Sequence, residues 1–138
     1  MAKTRSSQGT ACEAYVWMRL LEQGAIPCIP LVDCEGYDAL VRLPQGGCAR
    51  VQVKSRGEPF PGGYGNQLKD LYWDKDKRSL AFDYLAIATT WEGKEGYVTW
   101  MVPSDEVERA LTKRGDLTLG RQRLETDWAR YRENWDIG

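Results

Sequence analysis

Two short alternating stretches joined by a turn lie between Tyr37 and Ser55, and they restrict the fold more closely than any other part of the chain. Val51-Gln52-Val53-Lys54 alternates apolar and polar residues. Successive strand side chains point to opposite faces, so Gln52 and Lys54 share one face while Val51 and Val53 share the other. Tyr37 to Leu43 reads as the preceding strand, and Pro44-Gln45-Gly46-Gly47 has the composition of a turn that returns the chain antiparallel. With the turn centred on Gly46, Asp38 is expected opposite Lys54 and Leu40 opposite Gln52. A slip of one residue would move Asp38 to the other face, so the expectation depends on register.

The 138 residues suit one α/β or α+β domain, long enough to bury roughly two thirds of the unfolded surface without staples. No apolar run approaches the ~20 residues of a membrane span, and the N-terminus lacks the apolar stretch of a signal peptide. A soluble, cytoplasmic protein with no membrane partner is expected. The chain has no histidine, which excludes Ser-His-Asp and Cys-His catalysis and histidine-based metal sites. Hydrolytic chemistry would have to rest on carboxylates, amides, lysine and a metal. Cys12, Cys28, Cys34 and Cys48 form no C-x-x-C pair and read as buried free thiols in a reducing compartment rather than as a zinc site.

Net charge is −1, but the charge is uneven. From Arg50 to Arg78 there are seven Lys or Arg against four acids, and from Lys113 to Arg132 six against three, whereas Leu80 to Thr112 has two against six. That distribution suits one basic face on a near-neutral protein, or an ordinary mixed surface.

In chain order, a basic arm from Met1 to Gly9 leads into a helix over about Thr10 to Gln23, stopped by Gly24. Glu13 continues the stripe of Val16, Trp17, Leu20 and Leu21. Either Thr10-Ala11-Cys12-Glu13 is a capping box, or the helix delivers a carboxylate to the edge of the hairpin. Pro27 and Pro30 make Ala25 to Val32 an edge strand. Asp33 and Glu35 read first as solvated turn acids and second as metal neighbours. The long segment 56–79 interleaves Arg56, Lys69, Lys75, Lys77 and Arg78 with Phe60, Tyr64, Tyr72 and Trp73, a mixture suited to phosphate contact and base stacking. The bland alternative is a surface loop with a short helix around Gln67 to Trp73. Phe82 to Thr90 and Tyr97 to Val102 read as strands around a turn at Glu92 to Gly96. Ser104 is expected to cap a helix through about Lys113, and Asp116 to Leu119 to form a short extended piece. A last helix is expected over roughly Glu125 to Trp135, its Trp128, Tyr131 and Trp135 facing the core.

A helix carrying Glu13, a strand with Tyr37-Asp38, a turn, then Gln52-Val53-Lys54: this order resembles the PD-(D/E)XK nuclease superfamily, and within it the branch with a Q-x-K signature that includes group I intron homing endonucleases. Phe82-Asp83-Tyr84-Leu85-Ala86 and Tyr131-Arg132-Glu133-Asn134-Trp135-Asp136 also look like small intron-associated or prophage members. The resemblance implies a restriction-endonuclease-like α/β core, a mixed sheet of four to five strands flanked by helices. It further implies a magnesium-dependent DNA endonuclease with DNA as partner. Here Gln52 replaces the acid of the (D/E)XK element.

Mg²⁺, or Mn²⁺ in its place, takes oxygen ligands, and Asp38, Glu13, the Gln52 amide oxygen and the Val53 carbonyl are candidates. Lys54 could orient or help deprotonate a metal-activated water and offset charge at a scissile phosphate. No organic cofactor is expected, and a homodimer suits an enzyme whose single site cuts one strand. Arg56, Tyr64, Lys69, Lys75, Lys77 and Arg78 are the candidate nucleic-acid contacts. The bland reading of Asp38 and Lys54 is a cross-strand ion pair worth ~0.2–1 kcal/mol. The competing functions are a non-catalytic nucleic-acid-binding module on the same fold and a protein-interaction subunit.

Overall fold

A computed structural model describes residues 3–32, 36–56, 66–68, 73–74, 79–90 and 95–138. The chain opens with α1 (Lys3–Glu22), followed by β1 (Ile26–Cys28), β2 (Ala39–Arg42), β3 (Cys48–Arg56), β4 (Asn66–Leu68), β5 (Trp73–Asp74) and β6 (Ser79–Leu80). Then come β7 (Tyr84–Thr90), β8 (Tyr97–Pro103), α2 (Ser104–Ala110) and β9 (Leu117–Leu119). The main sheet is five-stranded and mixed, in the order β1-β2-β3-β7-β8, with β3 and β7 parallel and the other pairs antiparallel. This is the expected α/β class.

The sheet is buried on both sides in its middle, which is why Leu85-Ala86-Ile87-Ala88 is an unbroken apolar run rather than an alternating one. On one face α1 lays Cys12, Val16 and Leu20, at helical spacing of four, against Ala39, Val41, Val51, Val53, Ala86, Ala88 and Met101. On the other face Leu85, Ile87, Trp100 and Val102 meet Val107 of α2, Leu117 and Leu119 of β9, then Leu124, Trp128 and Tyr131. A carboxylate staples β3 to the start of β7: Asp83 accepts from Arg50 N at 2.7 Å and from the guanidinium at 3.1 and 3.3 Å, while its own N–H donates to Arg50 O. Among the described residues no helix is long and apolar enough to cross a membrane.

Several expectations need correction. α1 begins at Lys3, so Thr10 and Glu13 lie inside the helix and the capping box does not exist. Its end is as expected: Gly24 has φ 85°, Ala25 N donates to Leu20 O and Gly24 N to Leu21 O, the Schellman pattern that a left-handed glycine allows. The hairpin register differs by two residues, with Leu40 opposite Arg50 and Ala39 opposite Val51. Gly46 N donates to Leu43 O and Leu43 N to Gly47 O, so the turn centres on Gln45. A shift of two keeps every side chain on its face, but it places Asp38 opposite Gln52 instead of Lys54.

Asn66–Leu68 is a strand paired with β9, in place of the short helix that the surface-loop alternative put around Gln67 to Trp73. Ser104 is the first residue of α2, not its cap; the cap position is Pro103, and the helix stops at Ala110. In place of a final helix there is a π turn at Arg123–Asp127 and a 3-10 turn at Ala129–Tyr131. The reason is that the aromatic stripe serves two cores. Trp128 and Tyr131 pack on the α2 side, then the chain rounds the edge of β8 and buries Trp135 and Ile137 against α1. Glu133, at φ 50°, makes that corner: its N–H donates to Thr99 O and its carboxylate accepts Thr99 N. The strap continues to Gln45, whose Nε2 donates to Ile137 O at 3.2 Å.

Candidate functional site

At one end of the sheet β3 runs on past the point where β2 begins, and Asp38 stands at that step. Its N–H donates to Val51 O at 2.8 Å, and its Oδ2 accepts the N–H of Val53 at 2.7 Å. The carboxylate thus stands in for the backbone acceptor that β2 is too short to supply. A strand residue projects its N–H and C=O to the same edge, so the Val53 carbonyl is directed to the same gap.

The two faces of β3 then divide the other candidates. Val53 and Ser55 look towards α1, where they line a cavity of about 290 Å³ with Gly9, Thr10, Cys12 and Glu13. Gln52 and Lys54 look the other way, in register with Leu85 and Ile87 of β7. Gln52 is 8% exposed, and its Oε1 is buried without a hydrogen-bond partner. Leaving such an acceptor unsatisfied costs about 1–3 kcal/mol. Lys54 is half-buried and forms no ion pair with Asp38; among the described residues the cross-strand pair expected from the other register is absent.

Asp38 meets Val53 at the strand step, Glu13 lines the cavity beside Val53 on the α1 face, and Gln52 and Lys54 lie on the opposite face of β3. Among the described residues no three His, Cys, Asp or Glu side chains are grouped closely enough to hold a metal ion. Only two of the candidates, Glu13 and Asp38, are acids; an ion here would also draw on the Gln52 amide and the Val53 carbonyl. Oxygen donors of this kind are the type that a magnesium ion takes. Of the candidate nucleic-acid contacts, Arg56 ends β3 and donates from a guanidinium nitrogen to Ser55 O at 2.6 Å. Tyr64, Lys69, Lys75, Lys77 and Arg78 lie outside the described residues, as do Asp33 and Glu35.

Two features escaped the reading of the sequence. Ser55, directly after Gln52-Val53-Lys54, faces the Glu13 cavity, a position that strand alternation from Val53 supplies. Lys113 and Arg114 occupy the exposed tip of a tight turn closed by Thr112 N on Asp116 O at 2.8 Å and Gly115 N on Thr112 O at 2.9 Å. The turn presents two cations beside the β4–β9 ribbon.

Cys12 lies under the cavity floor. Burial pushes its thiol up to about 11; a hydrogen bond from Ser55 works the other way, and the Glu13 and Asp38 carboxylates push further up. A thiol whose folded value exceeds its ordinary value of 9.0 stabilises the fold fully below that pH, and the contribution is lost as pH rises through about 11. Two units of difference correspond to about 2–3 kcal/mol. Contrary to the expectation of buried thiols, Cys28 and Cys48 are exposed, on β1 and β3, so iodoacetamide at pH 8 is expected to alkylate both and spare the buried Cys12, read by peptide mass. In urea melts, wild-type stability should fall between pH 9 and 11 more steeply than that of Cys12→Ala. Alkylation of Cys12 at the rate of Cys28 would contradict the burial.

No family model matches the chain, and no curated protein matches it. Among solved structures it is similar to a bacterial homing endonuclease, I-Ssp6803I, with a TM-score of 0.63 and 20% sequence identity over 94% of this chain and 89% of that one. The five-stranded mixed sheet with its helices is the fold of that endonuclease, shared along almost the whole length of both chains.

Proposed function

We propose that the protein is a magnesium-dependent DNA endonuclease of the PD-(D/E)XK type, with Gln52-Val53-Lys54 in place of the acidic motif. The observation that carries this reading is the buried, unpartnered Oε1 of Gln52 at the strand step, across from Asp38. The fold shared with a homing endonuclease agrees with it. Asp38, Glu13, Gln52 and the Val53 carbonyl would hold the ion. Bound there, magnesium supplies charge neutralisation at a phosphate and a more acidic water.

The chain's own residues do the rest. Asp38 is fixed in place by Val53 N, so it is preorganised rather than recruited. Gln52 contributes an oxygen without a charge, which leaves the site one negative charge short of an acidic motif and favours a single ion. Lys54 carries no ion pair among the described residues and has its ammonium available for a phosphate oxygen or for a proton of the attacking water. Hydrolysis in this form needs no nucleophilic side chain and no covalent intermediate. Arg56, the basic residues of segment 56–79 and the Lys113-Arg114 turn would contact phosphates.

The test is a panel of supercoiled, linear, branched and single-stranded DNA with Mg²⁺ or Mn²⁺, comparing wild type with Lys54→Ala. Cleavage is expected to depend on the metal and to fall by about 10²–10⁴ in the variant, while DNA binding persists and weakens with salt. Salt-dependent binding with no cutting of any form, Mn²⁺ included, would instead identify a non-catalytic DNA-binding module.

A further inference from the structure

The first element after β9 is the π turn at Arg123–Asp127. Trp128 N donates to Arg123 O at 2.7 Å, the bond between residues five apart that defines such a turn. On an α-helix the side chains that meet are three and four apart, so residues five apart do not face each other. The wider turn brings positions 123 and 128 onto one side, and the Arg123 guanidinium lies over the Trp128 ring with Cζ 5.3 Å from its centroid. Trp128 and Leu124 are buried in the α2-side core, which seats the turn, and Arg123 is half-buried at its surface. Charge pairing sets Arg123 apart from its neighbours. Arg121 donates to Glu125 at 3.1 Å, and Arg130 lies 3.7 Å from Glu106. Arg123 forms no ion pair among the described residues, although Asp127 stands four positions on. An aromatic face attracts the charge but is no substitute for a carboxylate acceptor, so the N–H donors keep their capacity for an anion.

We propose that Arg123 is a phosphate contact, its guanidinium seated on Trp128 by the π turn and turned to the backbone of the duplex that Lys54 meets. The proposal rests on the reading of DNA as the substrate. Position supports it. Trp100 Nε1 donates to Leu124 O, and Trp100 stands in register with Ile87 and through it with Lys54. The turn is therefore tied to the sheet at the level of Lys54 and on the same face, two strands or roughly 10 Å across. That span is close to the ~12 Å width of a major groove, so a duplex with one phosphate at Lys54 can offer a second to Arg123. Lys113 and Arg114 lead into β9, whose Leu117 and Leu119 pack in the same core as Leu124 and Trp128. Three cations without ion pairs among the described residues thus share this layer. Arg123 differs from the other two in being held by a ring, so it loses less freedom when it binds.

The test measures binding rather than cleavage: a fluorescein-labelled duplex of mixed sequence, in EDTA, titrated with the full chain between about 50 and 200 mM salt. Arg123→Ala is expected to weaken binding about tenfold or more at the lower salt and to reduce the slope of log affinity against log salt by about 1. Arg123→Lys keeps the charge without the planar fork, so it should keep the slope and lose part of the affinity. Arg123→Gln, which retains most of the cover over Trp128, gives the same comparison if the alanine variant unfolds. Arg42→Ala removes an exposed arginine of β2 and should leave the slope unchanged. A wild-type slope in Arg123→Ala overturns the proposal, whether or not the urea midpoint falls, and leaves Arg123 as a lid on Trp128. An equal loss in Arg42→Ala overturns it too, because net charge alone would then set the affinity. A wild type without salt-dependent DNA affinity overturns both this contact and the nuclease reading. If the expected losses appear but the wild type cuts no DNA with Mg²⁺ or Mn²⁺, the phosphate contact stands and the nuclease reading falls.

Discussion

Asp38→Asn is expected to stay folded and stop cutting, whereas Asp38→Ala is expected to lose both activity and stability. The distinction follows from the double use of the carboxylate. As an acceptor it satisfies Val53 N at 2.7 Å, in a strand whose Val53 is 9% exposed. Asparagine retains an oxygen for that N–H, so its cost should stay under about 1 kcal/mol; alanine leaves the donor unsatisfied, at about 1–3 kcal/mol. As a ligand in the proposed metal site the carboxylate would contribute charge that neither replacement restores. Losing it should remove several kcal/mol from transition-state stabilisation, about 10²–10⁴ in rate. Urea melts and cleavage rates on one preparation of each variant separate the two roles. Wild-type cleavage by Asp38→Asn would remove Asp38 from the chemistry and leave it as a strand-end device.

The largest effect on stability is expected at Trp100. Its side chain is wholly buried in the α2-side core, and its indole Nε1 donates to Leu124 O at 2.8 Å. Leu124 belongs to the π turn, so this bond ties the irregular C-terminal segment to the sheet. Trp100→Ala should cost about 3–5 kcal/mol from the cavity alone, enough to unfold much of the population of a domain of ordinary stability. Trp100→Phe keeps most of the volume but strands the carbonyl, and should cost less, about 1–3 kcal/mol. Equal midpoints for Trp100→Phe and wild type in urea would show that the hydrogen bond adds nothing.

The parts of the fold that the sequence reveals are those encoded by local periodicity. α1's stripe, its glycine stop, the edge position imposed by Pro27 and the face shared by Gln52 and Lys54 all follow from spacing within a few residues. The hairpin register does not, because Gly46 and Gly47 are both at positive φ and permit turns centred on either side of them. Only cross-strand packing decides between registers that differ by two, since both keep the same residues inside. The C-terminal segment was misjudged for a related reason. Trp128, Tyr131 and Trp135 have helical spacing, yet they enter different cores, and nothing local records that the chain turns at Glu133. In the candidate site, residue types and order along the chain were legible. That Glu13 approaches from one face of β3 and Lys54 from the other requires the sheet in three dimensions.

The strap that ends on Gln45 has a consequence for how the protein is made. The bond between Gln45 and Ile137 joins positions 92 residues apart. At about 5–20 residues per second on the ribosome, the hairpin turn emerges roughly 5–20 s before its partner exists. Until then α1 and the sheet lack Trp135 and Ile137, and the β8 corner lacks Glu133. Closure of that side is therefore expected to be a late event, and contacts so distant along the chain favour slow folding. A growing chain that exposes this half-finished core is the form most in need of a chaperone.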